Sequence, residues 1–264
     1  MKTVGVAPLT SMFWFGENSE SKPDDYRPEV HDSDGLLIRG EQDEFTWRPL
    51  HNPPALQHQI FPMNNPRGFG LLQRDRNFAN YQDMFNLYQE VPSVWVEPRG
   101  NWGAGEVHLV ELPTNFEGAD NIVAFWNPKE KPRAGQETRF AYTLHWGSRP
   151  DGKFPPCKVS QTRIGKDLGD QKKRQVVIDF EASEALPLTS EIPKADVKAS
   201  ENAAIASVQV FKNEIGKSWR VIFSLTPKAN DEGLVDIHCA LNAGGRVVSE
   251  LWNYQWKPLS KNSK

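Results

Sequence analysis

Short apolar runs separated by turn-forming residues dominate the hydrophobic pattern of this chain. In the first half these runs are GLLIRG, EFTWRPL, GFGLLQR, SVWVEPR, GEVHLVEL and NIVAFWNP. Each is rich in β-branched, aromatic or leucine residues and is bounded by Gly, Pro, Asn or Asp, which is the pattern of β-strands. Residues 107–112 alternate imperfectly between apolar and polar, as expected of a strand that is covered on both faces.

A second set of runs follows residue 137. These runs are TRFAYTLHWG, RQVVIDFEA, AIASVQVFKN, SWRVIFSLTP, LVDIHCALN and SELWNYQWKP. Period-two alternation in WRVIFSL and VDIHCAL predicts strands with one buried face. Six or seven short strands in roughly 125 residues indicate an immunoglobulin-like sandwich.

The segment between the two sets, NPKEKPRAGQE, carries two prolines, one glycine and five charged residues in eleven positions. Such composition is typical of a linker between domains. We therefore expect a large β-sandwich domain over residues 1–127, a linker at 128–137 and an immunoglobulin-like domain over 138–264.

Helical periodicity is scarce, and its best candidate is residues 80–89. Tyr81, Met84, Phe85 and Tyr88 recur at spacings of three, four and seven. This spacing predicts a short helix or turn that buries one apolar face.

The composition of the chain limits the classes of molecule that the protein is expected to bind. The 264 residues carry a net charge of −3, with 25% charged residues of both signs, so a nucleic-acid or basic membrane-binding surface is not expected. No apolar run approaches the roughly 20 residues that span a bilayer, so we expect no membrane-embedded segment. Nine Trp and fourteen Phe suit the binding of sugars, whose apolar C–H faces stack on aromatic rings, although Trp in a sandwich more often fills the core.

Motifs for metals, phosphates and covalent catalysis are missing from the sequence. The histidines lack metal-ligand spacing, and no G-x-S-x-G nucleophile motif occurs. GNWGAG at 100–105 lies between two predicted strands, so it predicts a turn rather than a phosphate loop. Cys157 and Cys239 have the wrong spacing for zinc, and a single disulfide between them is left open. We expect neither a cofactor nor a metal.

Carboxylates beside aromatic residues remain as candidate chemistry. YRPEVHDSDG contains Asp32 and Asp34, and TNFEGADNIVAFW contains Glu117 and Asp120. Two carboxyl groups on opposite sides of a glycosidic bond supply the acid and the base of glycoside hydrolysis. The competing interpretation is that turn aspartates bond their own backbone.

Arg27 and His31, in the same stretch as Asp32, each have two interpretations. Arg27 either orients a carboxylate through a bidentate hydrogen bond or forms a surface ion pair of little energetic value. His31 either positions Asp32 or is a structural histidine with satisfied hydrogen bonds. The sequence leaves both choices open.

Several longer segments together resemble one family. They are GVAPLTSMFWFGENS, DDYRPEVHDSDGL, WRPLHNPP, NPRGFGLLQRDRNF, YQDMFNLYQEVPSVWVEPRGNWGAGEVHLVELPT and DNIVAFWNP. The chain resembles, from about residue 4 to about residue 256, the periplasmic glucan biosynthesis proteins, the G and D proteins of osmoregulated periplasmic (membrane-derived oligosaccharide) glucan synthesis. FWFGENS and DIHCALNAGGRVVSELW are more similar to the D type.

This resemblance implies an all-β fold in which the C-terminal part of a galactose-mutarotase-like β-sandwich is followed by an immunoglobulin-like β-sandwich. It implies a periplasmic location. Family members carry a secretion signal and about half of the large sandwich ahead of APLTSMF, so the chain resembles their C-terminal portion. We expect such a portion alone to have weak or no glucanase activity.

The resemblance also implies an inverting endo-β-1,2-glucanase, with Asp120 as general acid and Asp32 as general base. An apolar setting near Phe125 and Trp126 is expected to desolvate Asp120. Inversion predicts carboxyl groups about 6.5–9.5 Å apart, or farther if waters carry the proton. The side chains assigned to binding of a β-1,2-linked glucan are Tyr26, Arg27, His31, Trp14, Trp47 and Trp102.

A second function from a different class is left open. The protein is then a non-catalytic glucan-binding or assembly factor whose second domain contacts a membrane glucosyltransferase. Sandwich domains serve widely as binding modules, and a fold alone does not determine function. Formation of a homodimer is likewise left open.

Overall fold

The computed structural model describes residues 3–147, 154–170, 172–228 and 233–258. Within these residues the chain is almost entirely β, which confirms the all-β sandwich expected from the sequence. The strands are β1 (Val6–Ser11), β2 (Phe13–Phe15), β3 (Val30–His31), β4 (Gly35–Arg39), β5 (Phe45–Pro49), β6 (Gln57–Asn64), β7 (Gly68–Leu72), β8 (Ser93–Arg99), β9 (Ala104–Glu111), β10 (Ile122–Pro128), β11 (Ala141–Gly147), β12 (Val159–Lys166), β13 (Arg174–Glu181), β14 (Lys194–Ala199), β15 (Ala203–Asn213), β16 (Ser218–Pro227), β17 (Val235–Ala243), β18 (Arg246–Val247) and β19 (Leu251–Trp256). The helical elements are α1 (Phe78–Tyr81) and a 3-10 turn at Tyr88–Glu90.

The chain forms two compact units. The first contains Met1–Gly16, Lys22–Phe45 and Leu50–Gly152, and the second contains Glu17–Ser21, Thr46–Pro49 and Lys153–Lys264. β11, which follows the expected linker, pairs with β8 inside the first unit. The domain boundaries expected from the sequence stay a prediction.

The first unit contains the short antiparallel pair β2-β3 and two larger sets of antiparallel strands. One has the strand order β1-β10-β9-β6, and the other contains β11-β8-β7-β4. Leu36, Phe69 and Val96 of the second sheet share one buried cluster with Leu109 and Trp126 of the first. Packing two sheets through such an apolar layer is the architecture of a β-sandwich.

In the second unit, β12, β13, β16 and β15 form an antiparallel sheet. The strands β5, β19, β17 and β14 are hydrogen-bonded neighbours in that order, and β5 and β19 run parallel. Ile178 and Phe223 of one sheet, and Leu241 and Trp252 of the other, are fully buried.

Both cysteines are free and buried, so the structure does not contain the disulfide that the sequence left open. Burial raises the pKa of the Cys157 thiol to about 11, and burial also raises the pKa of Cys239. Neither thiol is therefore ionised in the folded protein at neutral pH.

The prediction that residues 80–89 bury one continuous apolar face is wrong. Tyr81 and Tyr88 are buried, but Met84 and Phe85 are exposed. The carboxylate of Asp83 accepts hydrogen bonds from the backbone N–H of Phe85 at 2.8 Å and of Asn86 at 2.9 Å. A side chain that bonds nearby backbone in this way competes with helix formation. Gln82 adopts left-handed backbone directly after α1 and ends it, and Leu87 adopts left-handed backbone directly before the 3-10 turn at Tyr88–Glu90.

The turn predicted at GNWGAG is confirmed, because residues 100–103 separate β8 from β9. Gly100 and Gly103 have φ of 82° and 70°, values that favour glycine. No helix in the described part of the chain has the length and apolar character of a membrane span.

Candidate active site

Asp32 and Asp120 lie on loops of the first unit. Asp32 directly follows β3, and its backbone N–H donates to the carbonyl of Met12 at 2.9 Å. Asp120 comes two residues before β10. Asp32 is partly buried, whereas Asp120 is exposed rather than in the apolar setting that the sequence predicted.

The two carboxylates interact through their charges. Burial raises the pKa of Asp32, the His31 charge opposes this shift, and the negative charge of Asp120 adds to it. Among the described residues, neither carboxylate forms a side-chain hydrogen bond or ion pair. Most partly buried carboxylates are paired, so an unpaired one beside a second carboxylate is a candidate for ligand chemistry.

Asp34 has a different environment, although it is only two positions from Asp32. Its Oδ2 accepts hydrogen bonds from the backbone N–H groups of Arg74 and, at 2.8 Å, Asp75. Burial raises the pKa of Asp34, while His31 and these hydrogen bonds oppose the shift. Asp34 therefore bonds a turn of the backbone, which leaves Asp32 as the unpaired acid of HDSDG.

His31 lies inside the unit and is only 2% exposed. Its ring stacks on Phe13 with centroids 5.0 Å apart and meets the ring of Tyr81 edge-on. Nε2 lies 3.0 Å from a carboxylate oxygen of Glu29, and Nδ1 lies 3.1 Å from Oε1 of Gln73. In this position the ring packs inside the unit beneath the loop of Asp32 and does not present a surface to a ligand.

Arg27 joins three loops through three carboxylates. Its guanidinium lies 2.8 Å from Asp25, 2.8 Å from Asp83 and 2.6 Å from Glu117. Although burial opposes the shift, backbone hydrogen bonds and Arg27 lower the pKa of Asp83 to about 2. Arg27 is therefore neither an isolated surface pair nor a hydrogen-bond partner of Asp32.

Tyr88 is a site residue that sequence reasoning assigned only to a helical face. Its hydroxyl lies 3.2 Å from Oε2 of Glu117 and 3.2 Å from Nδ2 of Asn86. Burial raises its pKa most, followed by the charge of Glu117, and the charge of Asp32 contributes. The phenol thus lies close to Asp32. Periodicity offered no signal for this, because Tyr88 fits an apolar stripe equally well.

The four aromatic residues assigned to sugar stacking have different exposures. Tyr26 is 74% exposed, with the Arg27 guanidinium 5.7 Å from its ring centre. Trp14 is partly buried against a small apolar cluster. Trp47 and Trp102 are 3% and 6% exposed, so neither has an open ring face. Only Tyr26 and Trp14 are accessible for stacking.

Three apolar side chains that the sequence did not assign to binding are exposed on the loops that Arg27 joins. Met84 and Phe85 follow Asp83, and Phe116 precedes Glu117. Phe85 is 93% exposed. Exposed aromatic side chains on positioned loops suit contact with the apolar faces of sugars.

The loop of Asp120 is held by several hydrogen bonds. Asn52 Nδ2 donates to the carbonyl of Thr114 at 2.6 Å, and Asn52 Oδ1 accepts from the N–H of Thr114 at 2.9 Å. Asn121 bonds the backbone of Phe13 in both directions. Asp120 is thus exposed on a segment whose two ends are fixed. Among the described residues, no cluster of three His, Cys, Asp or Glu side chains is arranged for a metal ion.

Fold and site together define an all-β protein with two loop-borne aspartates whose carboxylates have no hydrogen bond or ion pair with the residues that the structure describes. The family model described as "Periplasmic glucan biosynthesis protein, MdoG" matches residues 1–256. The chain belongs to this family.

Similar curated proteins carry the name "Glucans biosynthesis protein D". One from Stenotrophomonas maltophilia (strain K279a) is 44% identical over 269 residues, covering 98% of this chain and 49% of that protein. One from Xanthomonas oryzae pv. oryzae (strain PXO99A) is 40% identical, covering 100% of this chain and 51% of that protein. The resemblance to D-type members is confirmed. The chain spans about half the length of the curated relatives it matches.

Proposed function

We propose that the protein acts in periplasmic glucan biosynthesis by hydrolysing a β-1,2-linked glucan with inversion at the anomeric carbon. The observation that carries this proposal is the pair Asp32 and Asp120, two aspartates whose charges interact and whose carboxylates have no ion pair within the described part of the chain. The family description and the names of the relatives support a glucan as substrate and the periplasm as location. Contact with a membrane glucosyltransferase and formation of a homodimer stay predictions.

In the proposed reaction Asp120 is the general acid and Asp32 the general base. Asp120 donates a proton to the glycosidic oxygen as the bond from that oxygen to the anomeric carbon breaks. A water molecule attacks the anomeric carbon from the opposite face, and Asp32 accepts its proton. The raised pKa of Asp32 makes it a stronger base than an ordinary aspartate, provided that it is ionised.

Neighbouring residues support this reaction by fixing the two loops. Arg27 holds Glu117, three positions before Asp120, and Glu117 in turn contacts the hydroxyl of Tyr88. Such a second layer of contacts keeps reacting groups within the narrow geometry that catalysis needs. Phe85 and Tyr26 provide exposed rings at these loops for the glucan chain.

The proposal is tested by replacing each aspartate in the full protein with asparagine. We expect Asp32→Asn and Asp120→Asn each to lower the release of reducing ends from β-1,2-glucan by about 10²–10⁴-fold, the usual contribution of a general acid or base. Asp24→Asn, at an exposed aspartate in the same region as Asp32, is the matched control and is expected to retain activity. NMR of the first product is expected to show the inverted anomer.

Two results would contradict the proposal. Normal cleavage by either substituted protein removes that aspartate from the reaction. Tight binding of β-1,2-glucan by the unsubstituted full protein, with the glucan recovered intact, favours the non-catalytic binding factor instead.

A further inference from the structure

The side-chain amide of Gln73 determines the protonation of one nitrogen of His31. Gln73 Nε2 lies 3.0 Å from the carbonyl oxygens of both His31 and Tyr88. Carbonyl oxygens only accept hydrogen bonds, so the NH₂ end of the amide faces them. The other end, Oε1, is then the atom 3.1 Å from His31 Nδ1. An amide oxygen is also only an acceptor, and Nδ1 therefore carries a proton.

The second nitrogen of His31 faces an acid. Nε2 lies 3.0 Å from Oε2 of Glu29, which is buried with it. A carboxylate accepts and does not donate, so Nε2 also carries a proton. A neutral imidazole has only one N–H group. With Glu29 ionised, both ring nitrogens face acceptors, and this pairing calls for the doubly protonated, positively charged ring.

The surroundings of the ring are consistent with a cation. Burial favours the neutral ring, but the Glu29 hydrogen bond and the charges of Asp34, Glu29 and Asp75 outweigh it and raise the pKa of His31. Asp34 Oδ1 lies 3.6 Å from Nδ1. Phe13 and Tyr81 enclose the ring, so it cannot turn to other partners.

We propose that His31 is a buried imidazolium cation that keeps the adjacent Asp32 in its carboxylate form. Asp32 is partly buried and faces the negative charge of Asp120, and both conditions favour its protonation. The positive charge of His31 acts against them. The titratable groups whose charges couple to His31 or Asp32 are Glu29, Asp34, Asp75, Tyr88 and Asp120. Tyr81 is titratable as well and meets the His31 ring edge-on.

The consequence for catalysis rests on the proposed function. A general base has to be ionised before it can accept a proton from water, and His31 extends the pH range in which Asp32 meets this condition. Because its ring is enclosed and does not reach a ligand, His31 is a positioning residue rather than a catalytic one.

The charge state itself is tested without any glucan. Long-range proton–nitrogen correlation spectra of the full protein, labelled with ¹⁵N in histidine, report whether each ring nitrogen carries a proton. His31→Gln identifies the signals by their loss. We expect two protonated nitrogens for His31 at about pH 7, above the ordinary histidine pKa of about 6.5. One bare nitrogen at about pH 7 overturns the proposal, whether or not the protein cleaves glucan.

The effect on Asp32 is tested by the dependence of kcat/KM on pH. In His31→Gln we expect the acidic limb of the profile to move to higher pH, with KM little changed and most activity recovered on the alkaline side. At pH values well below the limb, activity falls about tenfold for each pH unit by which the limb moves. The ¹³C titration of the Asp32 carboxyl group moves in the same direction. An unchanged limb and an unchanged titration in a folded variant overturn the proposal.

Glu29→Gln provides a second test if His31→Gln does not fold. This substitution keeps the shape of the side chain and removes the negative charge that faces Nε2. We expect the His31 ring to lose its second proton at lower pH than in the unsubstituted protein. If the His31 ring of Glu29→Gln keeps both protons at alkaline pH, the negative charge of Glu29 is not what stabilises the imidazolium, and the assigned role of Glu29 is contradicted. Asp24→Asn is the matched control and leaves both readouts unchanged.

Discussion

Asp32 and Asp34 have identical side chains and lie two positions apart, but their surroundings give them different roles. Asp34 accepts hydrogen bonds from the backbone of a neighbouring turn, whereas Asp32 has no such bond within the described residues. The sequence could not separate them, because both follow His31 in the same turn-rich stretch. The difference arises from Arg74 and Asp75, about 40 positions away, whose N–H groups reach only one of the two carboxylates.

Asp32→Asn is expected to stabilise the folded protein at neutral pH while it removes activity. Burial raises the pKa of Asp32 above its unfolded value, so the folded state binds this proton more tightly. The contribution of Asp32 to stability therefore falls as the pH rises from its pKa in the unfolded protein, about 3.9, through its raised pKa in the folded protein. Asparagine carries no charge and avoids this loss. Thermal unfolding is expected to show a higher Tm for the variant at about pH 7 and little difference at about pH 3.5.

The opposite result would place Asp32 in a stabilising interaction. A lower Tm of Asp32→Asn at neutral pH means that the carboxylate has a favourable partner in the folded protein. Asp24→Asn controls for the simple loss of one negative charge.

Arg27→Ala is expected to lower both stability and activity. It leaves Asp25, Asp83 and Glu117 without their shared cation. Removing one partner of a buried ion pair costs about 3–5 kcal/mol, and we expect about 2–3 kcal/mol here because Glu117 keeps contact with water. Unfolding in denaturant measures this change. Arg139→Ala, which breaks a fully exposed pair with Glu137, is the control and is expected to change stability by less than about 0.5 kcal/mol.

At the scale of elements, the strands that could be predicted from the sequence are those with many apolar side chains. The runs SVWVEPR and SWRVIFSLTP coincide with β8 and β16 residue for residue. β6 and β14 were missed. β6 presents Gln57 and Gln59 to the interior. β14 alternates charged residues with small apolar ones and lies at the end of its sheet. Strands of this kind form because a neighbour satisfies their backbone hydrogen bonds, a property that single-strand patterns do not carry.

Gly70→Ala is expected to destabilise the sheet of β7 and β8. A Cβ at this position would overlap the backbone carbonyl oxygen of Val94, which cannot move without disturbing the strand pairing. Overpacking of this kind costs about 1–3 kcal/mol. Gly165→Ala is the matched control, because a Cβ there meets no atom within 4 Å. We expect the control to be neutral or slightly stabilising in denaturant unfolding, and equal losses in both variants would contradict the packing argument.

At the scale of the whole molecule, the site depends on residues that are distant in the chain. Asp32 and Asp120 are 88 positions apart, since 120 − 32 = 88, and periodicity contains nothing that brings them together. The resemblance to a family supplied that pairing, and the folded chain places the two charges close enough to interact. The roles of Arg27 and Tyr88 could not be inferred in advance, because they depend on contacts with Glu117 from a third loop.

The two thiols of the second unit are expected to be protected in the native protein. Cys157 and Cys239 are fully buried, and burial raises the pKa of both. A thiol reagent such as DTNB at about pH 8 is expected to react with neither cysteine until denaturant unfolds this unit, and then with both. Rapid labelling of either thiol under native conditions would contradict the described packing, with Cys157→Ser and Cys239→Ser identifying which one reacts.

Phe85 combines an unrestrained side chain with a restrained backbone. Its N–H is bonded to Asp83, and Asp83 is held by Arg27, yet its ring contributes almost nothing to the core. Substitutions at Phe85 therefore carry little penalty in folding while they alter the exposed surface of the loop that Arg27 fixes through Asp83. In the proposed reaction, the contact that this loop offers to a glucan can therefore change at Phe85 without loss of the fold.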